Sequence, residues 1–348
     1  MLEVLLGLVV VYAVIITLVY IRTWNNAQSA ELTQKAAFKK RQAMMDATIE
    51  AKADEAMRLH QTFQKFVPRQ FVEHFAKTGG TSLELGRADE DRVAILFCDI
   101  RGFTSLSEKM SPQELMYFLN SYFLRMNAPI HQNNGFIDKF IGDAIMALFD
   151  RPQGDDADKA YDAVRAALEI QVALTLYNNH RASSQYAPVK NGIGLHFGPV
   201  VLGTVGSDDR MDTTVIGDTV NVAQRIESLC RYFNSDILAS HSAILLASSK
   251  TEFEYRLLDN IVLKGKSVAT PVVEVVSHLP EAVKEQKLLA GEAIKDGIKL
   301  REDGYLKTAL SHFESCLSSF PNDSAIKHHL RICKRAVNNK EWDGMVRL

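Results

Sequence analysis

The 348-residue sequence has few cysteines and no excess of charge of either sign. Its four cysteines lie far apart, at Cys98, Cys230, Cys316 and Cys333. With no CxxC pair among them, the sequence predicts neither a disulfide framework nor a cysteine zinc site, and it suits a reducing compartment. The formal net charge of −2 argues against a nucleic-acid-binding surface. The histidines have no metal-ligand spacing, and the pair His328–His329 is expected on a helix surface.

One long apolar run lies near the N-terminus, from Val4 to Ile21, and it is long enough to cross a bilayer as a helix. A signal peptide has a basic segment before the apolar run and a small-residue cleavage site after it, and both are absent here. We therefore expect a retained single-pass anchor rather than a buried core helix. Basic residues follow the run, so the positive-inside rule predicts that the rest of the chain is cytoplasmic, at the inner or plasma membrane.

The segment from Asn25 to about Phe66 contains neither glycine nor proline, which predicts a long helix. Its heptad pattern is weak, so both a signal-transmitting parallel coiled coil and a plain spacer remain open. Aromatic residues between Phe63 and Phe75 are expected to pack on the next domain. The predicted organisation is an anchor (1–24), a helical linker (25–78), a core domain (79–279) and C-terminal helices (280–348).

The core domain is organised around the stretch RVAILFCDIRGFT, an apolar strand that ends at Asp99 and a glycine turn. A capping box at Ser111 then opens a helix, and two strands follow around Gly142 and Asp143. A second helix, further strands on either side of Gly198 and a helix after Gly217 come next. The order β-α-β-β-α-β predicts an α+β fold with a ferredoxin-like core.

The C-terminal segment is helical and polar, with six residues at the spacings of one tetratricopeptide repeat: Gly297, Gly304, Ala309, Phe313, Cys316 and Pro321. A single repeat cannot bury its own apolar face. It should therefore dock on the core domain, on a symmetry mate or on a partner protein. A plain helical hairpin used for packing is an equally good interpretation.

Two carboxylates are candidates for a metal site, Asp99 at the end of the first strand and Asp143 at a hairpin tip. If they face each other across neighbouring strands, they can hold two divalent ions, Mg²⁺ or Mn²⁺, for an in-line phosphoryl displacement. Asn221 and Arg225 share a helix face, and a guanidinium suits charge that develops on phosphorus. Taken singly, each of these residues is more often solvated surface.

The sequence resembles the class III nucleotidyl cyclases over about residues 63–276. Five motifs carry the resemblance, in the family's order: LFCDIRGFTSLSE, GFIDKFIGDAIMALF, GIGLHFGPVVLGTVG, TTVIGDTVNVAQRIE and LKGK. The family works as a head-to-tail dimer, which implies a homodimer with two composite sites. The resemblance implies that the metals are held by Asp99, Asp143 and the carbonyl of Ile100. It implies roles for Asn221 on the ribose, Arg225 on the pentavalent phosphorus and Lys264 on the terminal phosphates.

Two further positions bear on the choice of base under this resemblance, Lys139 and Thr214. A lysine donates to adenine N1 and a threonine hydroxyl accepts from the 6-amino group, so ATP is the expected substrate and cyclic AMP the expected product. Thr214 replaces the aspartate of many relatives and is similar to the bicarbonate-responsive subgroup. Inorganic carbon is therefore an expected activator.

Three other functions are alternatives to an adenylate cyclase. A guanylate cyclase would typically carry Glu in place of Lys139. A diguanylate cyclase would carry a GG[DE]EF turn, whereas this turn reads Ile141-Gly-Asp-Ala144. A degenerate nucleotide sensor that signals through the C-terminal repeat has no need of a transition-state arginine such as Arg225.

Overall fold

The structure of the protein is a computed structural model that describes residues 2–63, 88–207, 209–338 and 342–348. The chain divides into two compact units, residues 1–67 and 68–348. In the first, α1 (Leu2–Phe63) is one uninterrupted helix of 62 residues, so the predicted anchor and linker are continuous. It is the one helix in the described part of the chain that is long and apolar enough to cross a membrane. Most of the predicted aromatic cluster before Phe75 lies outside the described residues.

The second unit contains nine strands and eight helices within its described residues. In chain order these are β1 (Ala88–Ile100), α2 (Phe103–Ser107), α3 (Pro112–Gln132), β2 (Phe136–Ile141), β3 (Ala144–Phe149), α4 (Asp156–Ser183), β4 (Asn191–Ser207), β5 (Arg210–Ile216), α5 (Asp218–Phe233), β6 (Ile237–Ser240), α6 (His241–Ser248), β7 (Tyr255–Val262), β8 (Thr270–Val275), α7 (Glu281–Glu302), α8 (Leu306–Ser319), α9 (Ser324–Asn338) and β9 (Val346–Arg347).

The strands form one sheet in the order β2-β3-β1-β4-β6-β8-β7-β9, with β5 also paired to β4. Its first four strands, joined through α3 and α4, give the βαββαβ order that the sequence predicts. The capping box at Ser111 is confirmed. The Ser111 side chain accepts a hydrogen bond from the backbone N–H of Glu114, and the Glu114 side chain accepts one from the backbone N–H of Ser111. Between β2 and β3, Gly142 has a φ of 63°, a value that glycine adopts without steric cost in a two-residue hairpin turn.

Alternate residues of β1 pack on opposite faces of the sheet. Leu96, Cys98 and Ile100 join α3 and α4 in one apolar cluster. Val93, Ile95 and Phe97 face the other side, where Ala223 of α5 packs. Since Asp99 continues this second set, the alternation directs its side chain to the same face of the sheet as α5.

The stretch around Gly198 and Pro199 forms one strand rather than the two that the sequence predicts. On one edge, β4 pairs with β1 throughout residues 191–203. On the other edge it pairs with β6 at 193–195 and with β5 from 201 onward. Pro199 falls in the gap between these partners, where a missing N–H costs no ladder hydrogen bond.

The C-terminal helices α7, α8 and α9 pack on the sheet rather than extending away from it. One apolar cluster contains Phe233 of α5, Leu258 of β7, Ile294 of α7 and Phe313 of α8. At Gly297 an added Cβ would lie 2.2 Å from the ring of Phe313, so only glycine allows this approach of α7 to α8. Residues 280–348 therefore complete the hydrophobic core of the second unit.

His328 and His329 are fully buried, so the expectation that they lie on a helix surface is wrong. The side chain of His328 bonds the carboxylate of Asp259 at 2.9 Å, and His329 bonds the carbonyl of Leu258 at 2.7 Å. Both histidines lie on α9 and both partners lie on β7. These positions of α9 are buried, although they are polar, because their side chains point inward to partners on β7.

Candidate active site

Asp99 and Asp143 are brought together at one end of the sheet. β1 and β3 pair as far as Cys98 with Ile145, so Asp99 lies beside the β2–β3 turn that carries Asp143. Burial and the neighbouring carboxylate of Asp99 raise the pKa of Asp143 to about 7. The Asp99 carboxylate also accepts a hydrogen bond from the backbone N–H of Ile100 at 3.0 Å.

These carboxylates have the chemistry that a divalent cation needs. One oxygen of Asp143 is buried and accepts no hydrogen bond from any described residue. Burial is the larger cause of the raised pKa of Asp143 and repulsion by Asp99 adds to it, and an ion such as Mg²⁺ or Mn²⁺ would offset both effects. Hard carboxylate oxygens are the ligands that such ions prefer. The residues present therefore fit a divalent metal.

A third carboxylate, Glu227 of α5, faces the same place and was not predicted. Burial raises its pKa to about 7, and the charges of Asp99 and Asp143 add to this effect. Glu227 reaches the site because α5 crosses β4 at two glycines. A Cβ at Gly194 would lie 2.3 Å from the backbone nitrogen of Glu227, and one at Gly192 would lie 3.0 Å from its carboxylate. The spacing Gly192-Ile-Gly194 was the sequence signal for this close helix approach.

Lys139 and Thr214, the two positions expected to read the base, contact each other. The ammonium of Lys139 donates to the hydroxyl of Thr214 at 2.8 Å, although 75 residues separate them. Lys139 lies on β2 and Thr214 on β5, which are not neighbours in the sheet. Both side chains are partly exposed, which leaves them accessible to a ligand.

Arg225 and the Lys264-Gly-Lys loop lie together on the face that carries α5. A Cβ at Gly265 would lie 3.5 Å from the guanidinium of Arg225. In the same loop Lys266 forms an ion pair with Asp218, at the start of α5. Asn221 and Lys264 are exposed. Cationic groups from two separate segments are therefore gathered at one end of α5.

The predicted residues thus fall into three groups: the carboxylates Asp99 and Asp143, the pair Lys139 and Thr214, and a third group of Asn221, Arg225 and Lys264. Among residues 88–207 and 209–338, no hydrogen bond or ion pair joins the first group to the third. The described contacts of a single chain therefore do not link its carboxylates directly to its phosphate-binding candidates.

A fourth polar cluster lies away from these groups, where Asp259, His328 and His329 are close enough to share a metal ion. Arg301 already donates to both oxygens of Asp259, at 2.5 and 3.2 Å. Burial acts to raise the pKa of Asp259, but the hydrogen bond to His328, the proximity of His329 and the cationic Arg301 together lower it. The cluster is therefore a buried ion-pair network centred on the Asp259 carboxylate.

Comparison with known proteins identifies the family. Residues 86–275 match the family model described as adenylate and guanylate cyclase catalytic domain. The chain is 42% identical over 236 residues to an adenylate cyclase of Anabaena cylindrica, a match that covers 66% of this chain and 46% of that relative. This chain therefore spans less than half the length of that curated relative.

Solved structures show the same fold. The adenylyl cyclase CyaB from P. aeruginosa is 31% identical, with a TM-score of 0.50 over 55% of this chain and 96% of its own. A bacterial light-regulated adenylyl cyclase is 27% identical, with a TM-score of 0.58 over 68% of this chain and 66% of its own. The matched segment contains all the candidate site residues described above. The chain belongs to the adenylate and guanylate cyclase family.

Proposed function

We propose that the protein is an adenylate cyclase, which converts ATP to 3′,5′-cyclic AMP and pyrophosphate for intracellular signalling. The observation that carries this proposal is the 2.8 Å hydrogen bond between Lys139 and Thr214. It gives a donor for adenine N1 and a hydroxyl acceptor for the 6-amino group at one place. The proposal is supported by the names of the relatives, which are adenylate cyclases.

The reaction needs the ribose 3′-hydroxyl to approach the α-phosphorus in line with the leaving pyrophosphate. In the proposed mechanism, Asn221 orients the ribose, and Arg225 stabilises the charge on the pentavalent phosphorus. Lys264 binds the terminal phosphates, where negative charge collects as pyrophosphate leaves. The cationic loop beside Arg225 supports this division of roles, since it provides positive charge on the same surface.

The family uses divalent metal ions. We propose that Asp99, Asp143 and the carbonyl of Ile100 hold two of them, Mg²⁺ or Mn²⁺. Bound there, the ions would lower the pKa of the attacking hydroxyl and neutralise the triphosphate. The carboxylate pair supports this role through its mutual repulsion and through the unpartnered oxygen of Asp143.

We further propose a homodimer with two composite sites, and this is supported by the lack of any hydrogen bond or ion pair, among the described residues, between the carboxylates and the phosphate-binding candidates of one chain. A mixing experiment tests this. Asp99→Ala and Arg225→Ala should each be inactive alone, and a heterodimer should contain one intact site. The mixture should regain about a quarter of the wild-type activity. A mixture as inactive as its components would contradict composite sites.

The physiological setting is also a proposal. We infer that α1 anchors the chain in the inner or plasma membrane in a single pass, with the cyclase domain in the cytoplasm. The functional segments are then an anchor (1–24), a linker (25–78), a catalytic domain (79–279) and tetratricopeptide-like helices (280–348). The approach of Gly297 to Phe313 supports a repeat-like hairpin. The exposed outer face of this hairpin would be the surface for a protein partner.

Bicarbonate activation is proposed from Thr214. Cyclic AMP formation should rise when bicarbonate replaces chloride at matched pH and ionic strength. An equal rate in both salts would remove the protein from the bicarbonate-responsive subgroup, without affecting its assignment as an adenylate cyclase.

Base selection is tested by the double variant Lys139→Glu with Thr214→Cys. Glu supplies the acceptor that guanine N1–H needs, so the preference should move from ATP toward GTP. Unchanged ATP preference would contradict the assignment of these two residues.

The variant Asp143→Ala separates an enzyme from a nucleotide sensor, because it should abolish turnover in the enzyme but only weaken metal-dependent ATP binding in a sensor.

A further inference from the structure

Asp138, immediately before Lys139, lies at an irregularity of β2. Ile137 pairs with Ala147 and Lys139 pairs with Met146, so Asp138 is an extra residue in the ladder. In a regular strand, neighbouring side chains point to opposite faces. A β-bulge removes this constraint and re-aims a side chain. As a result, a carboxylate oxygen of Asp138 lies 3.5 Å from the ammonium of Lys139.

The Asp138 side chain is completely buried, whereas that of Lys139 remains 33% exposed. Neither carboxylate oxygen accepts a hydrogen bond from a described residue. Burial raises the pKa of Asp138 to about 6, and the charge of Lys139 acts in the opposite direction. A buried carboxylate is costly, and the groups that favour its charge are first the ammonium of Lys139 and then the hydroxyl of Thr214.

The donors of the Lys139 ammonium can be accounted for one by one. An ammonium has three N–H donors. One bonds the hydroxyl of Thr214 at 2.8 Å, and the carboxylate of Asp138, 3.5 Å from the nitrogen, attracts a second by charge without a hydrogen bond. The exposed carboxylate of Asp212 lies farther away, at 3.9 Å. The third donor remains available for an acceptor such as adenine N1. Guanine instead carries a hydrogen on N1, so two donors would face each other and no hydrogen bond could form.

We propose that Asp138 is a positioning residue for base selection, which fixes the Lys139 ammonium so that its third donor meets a purine with an unprotonated N1. The inference rests on the proposed function, because it deepens the role given to Lys139 and Thr214. Without the carboxylate, the lysine is free to turn toward Asp212 and solvent. Adenine would then lose an oriented donor, and guanine would lose nothing.

The test compares Asp138→Asn with Asp212→Asn in the full chain, with ATP and GTP as substrates. Both variants remove one carboxylate charge near the same ammonium, but the side chain of Asp212 is 62% exposed. Asp138→Asn should raise KM for ATP by about tenfold, equal to about 1.4 kcal/mol, with a much smaller change in kcat. KM for GTP should stay within about twofold for both variants, and KM for ATP should do so for Asp212→Asn.

A purely structural role for Asp138 would lower kcat for both nucleotides and lower the unfolding temperature together. If the wild type makes cyclic AMP and Asp138→Asn keeps the ATP to GTP ratio of KM, the inference is wrong while the proposed function stands. If the wild type makes no cyclic nucleotide, the proposed function itself fails.

A double-mutant cycle provides the second measurement. In a Lys139→Gln background, Asp138→Asn should have no further effect on KM for ATP, because the ammonium that it positions is gone. Asp138→Ala repeats the test with a smaller side chain if Asn does not allow folding. Additive effects of the two substitutions would overturn the inference.

Discussion

Replacing Arg301 by Met should strongly destabilise the second unit, because it breaks the buried network that joins the C-terminal helices to the sheet. The side chains of Arg301 and Asp259 are 1% and 0% exposed. Arg301 is on α7 and Asp259 is on β7, and the two groups share two hydrogen bonds. Met has a similar volume but cannot donate. Among the described residues, Asp259 would keep His328, the nearby His329 and the backbone N–H of Asn260, which donates at 2.8 Å, as groups that favour its charge.

The expected loss follows from the cost of an uncompensated buried charge. Removing one partner of a buried ion pair costs about 3–5 kcal/mol. For a unit of this size, each kcal/mol lowers the unfolding temperature by about 2 °C, so a fall of about 6–10 °C is expected. The double variant Asp259→Asn with Arg301→Met removes both charges and should recover part of the loss.

Thermal unfolding followed by circular dichroism measures this change. Arg347→Met is the matched control, because Arg347 pairs with Asp343 where both side chains are exposed, by 58% and 46%. An exposed pair contributes about 0–1 kcal/mol, so the control should unfold close to the wild type. Equal unfolding temperatures for Arg301→Met and Arg347→Met would refute the view that the C-terminal helices complete the core.

Three further predictions follow from packing and burial. A fragment of residues 88–279 should be insoluble or lack cooperative unfolding, because it exposes the apolar cluster around Phe233, whereas residues 88–348 should fold. A soluble, cooperatively folding fragment of residues 88–279 would contradict this prediction. Gly194→Ala should cost about 1–3 kcal/mol in urea unfolding, since its Cβ would meet the α5 backbone at 2.3 Å; an unchanged midpoint would show that α5 is not held so closely. Burial lowers the pKa of His196 to about 4 from 6.5, so the unfolded chain binds a proton that the folded chain excludes, and stability falls as pH drops through this range. Relative to wild type, His196→Gln should gain about 3 kcal/mol between pH 6.5 and pH 4, and a pH-independent difference would refute this burial effect.

Much of the fold was predictable because its signals are local. The capping box at Ser111, the hairpin at Gly142 and the apolar run of β1 each act within a few residues. The segments that were missed lack such signals. β6 has four residues and runs directly into α6, so its apolar run has no period that separates a strand from a helix. The continuity of β4 through Pro199 depends on which neighbouring strands pair with it there. That pairing is a long-range property, and the residues of β4 alone do not predict it.

The candidate site was also predictable only in part. Residue type and position predicted that Asp99 would face Asp143, and the family resemblance implied that Lys139 and Thr214 would contact the same base; the structure brings both pairs together. Glu227 was missed because its burial depends on the close approach of α5 to β4. Asp138 was missed because a β-bulge, which a regular strand pattern does not predict, turns its side chain toward Lys139. Such effects arise from tertiary contacts, which single-sequence periodicity does not contain.

The most direct measurement of the central claim is product formation by the full chain, given ATP and GTP in parallel with Mn²⁺ or Mg²⁺. The wild type should form cyclic AMP and pyrophosphate in equal amounts, and should form much less cyclic GMP. Asp99→Ala should abolish both products while the protein remains folded by circular dichroism. No cyclic nucleotide from a folded protein that binds ATP would contradict the claim and would favour a nucleotide sensor.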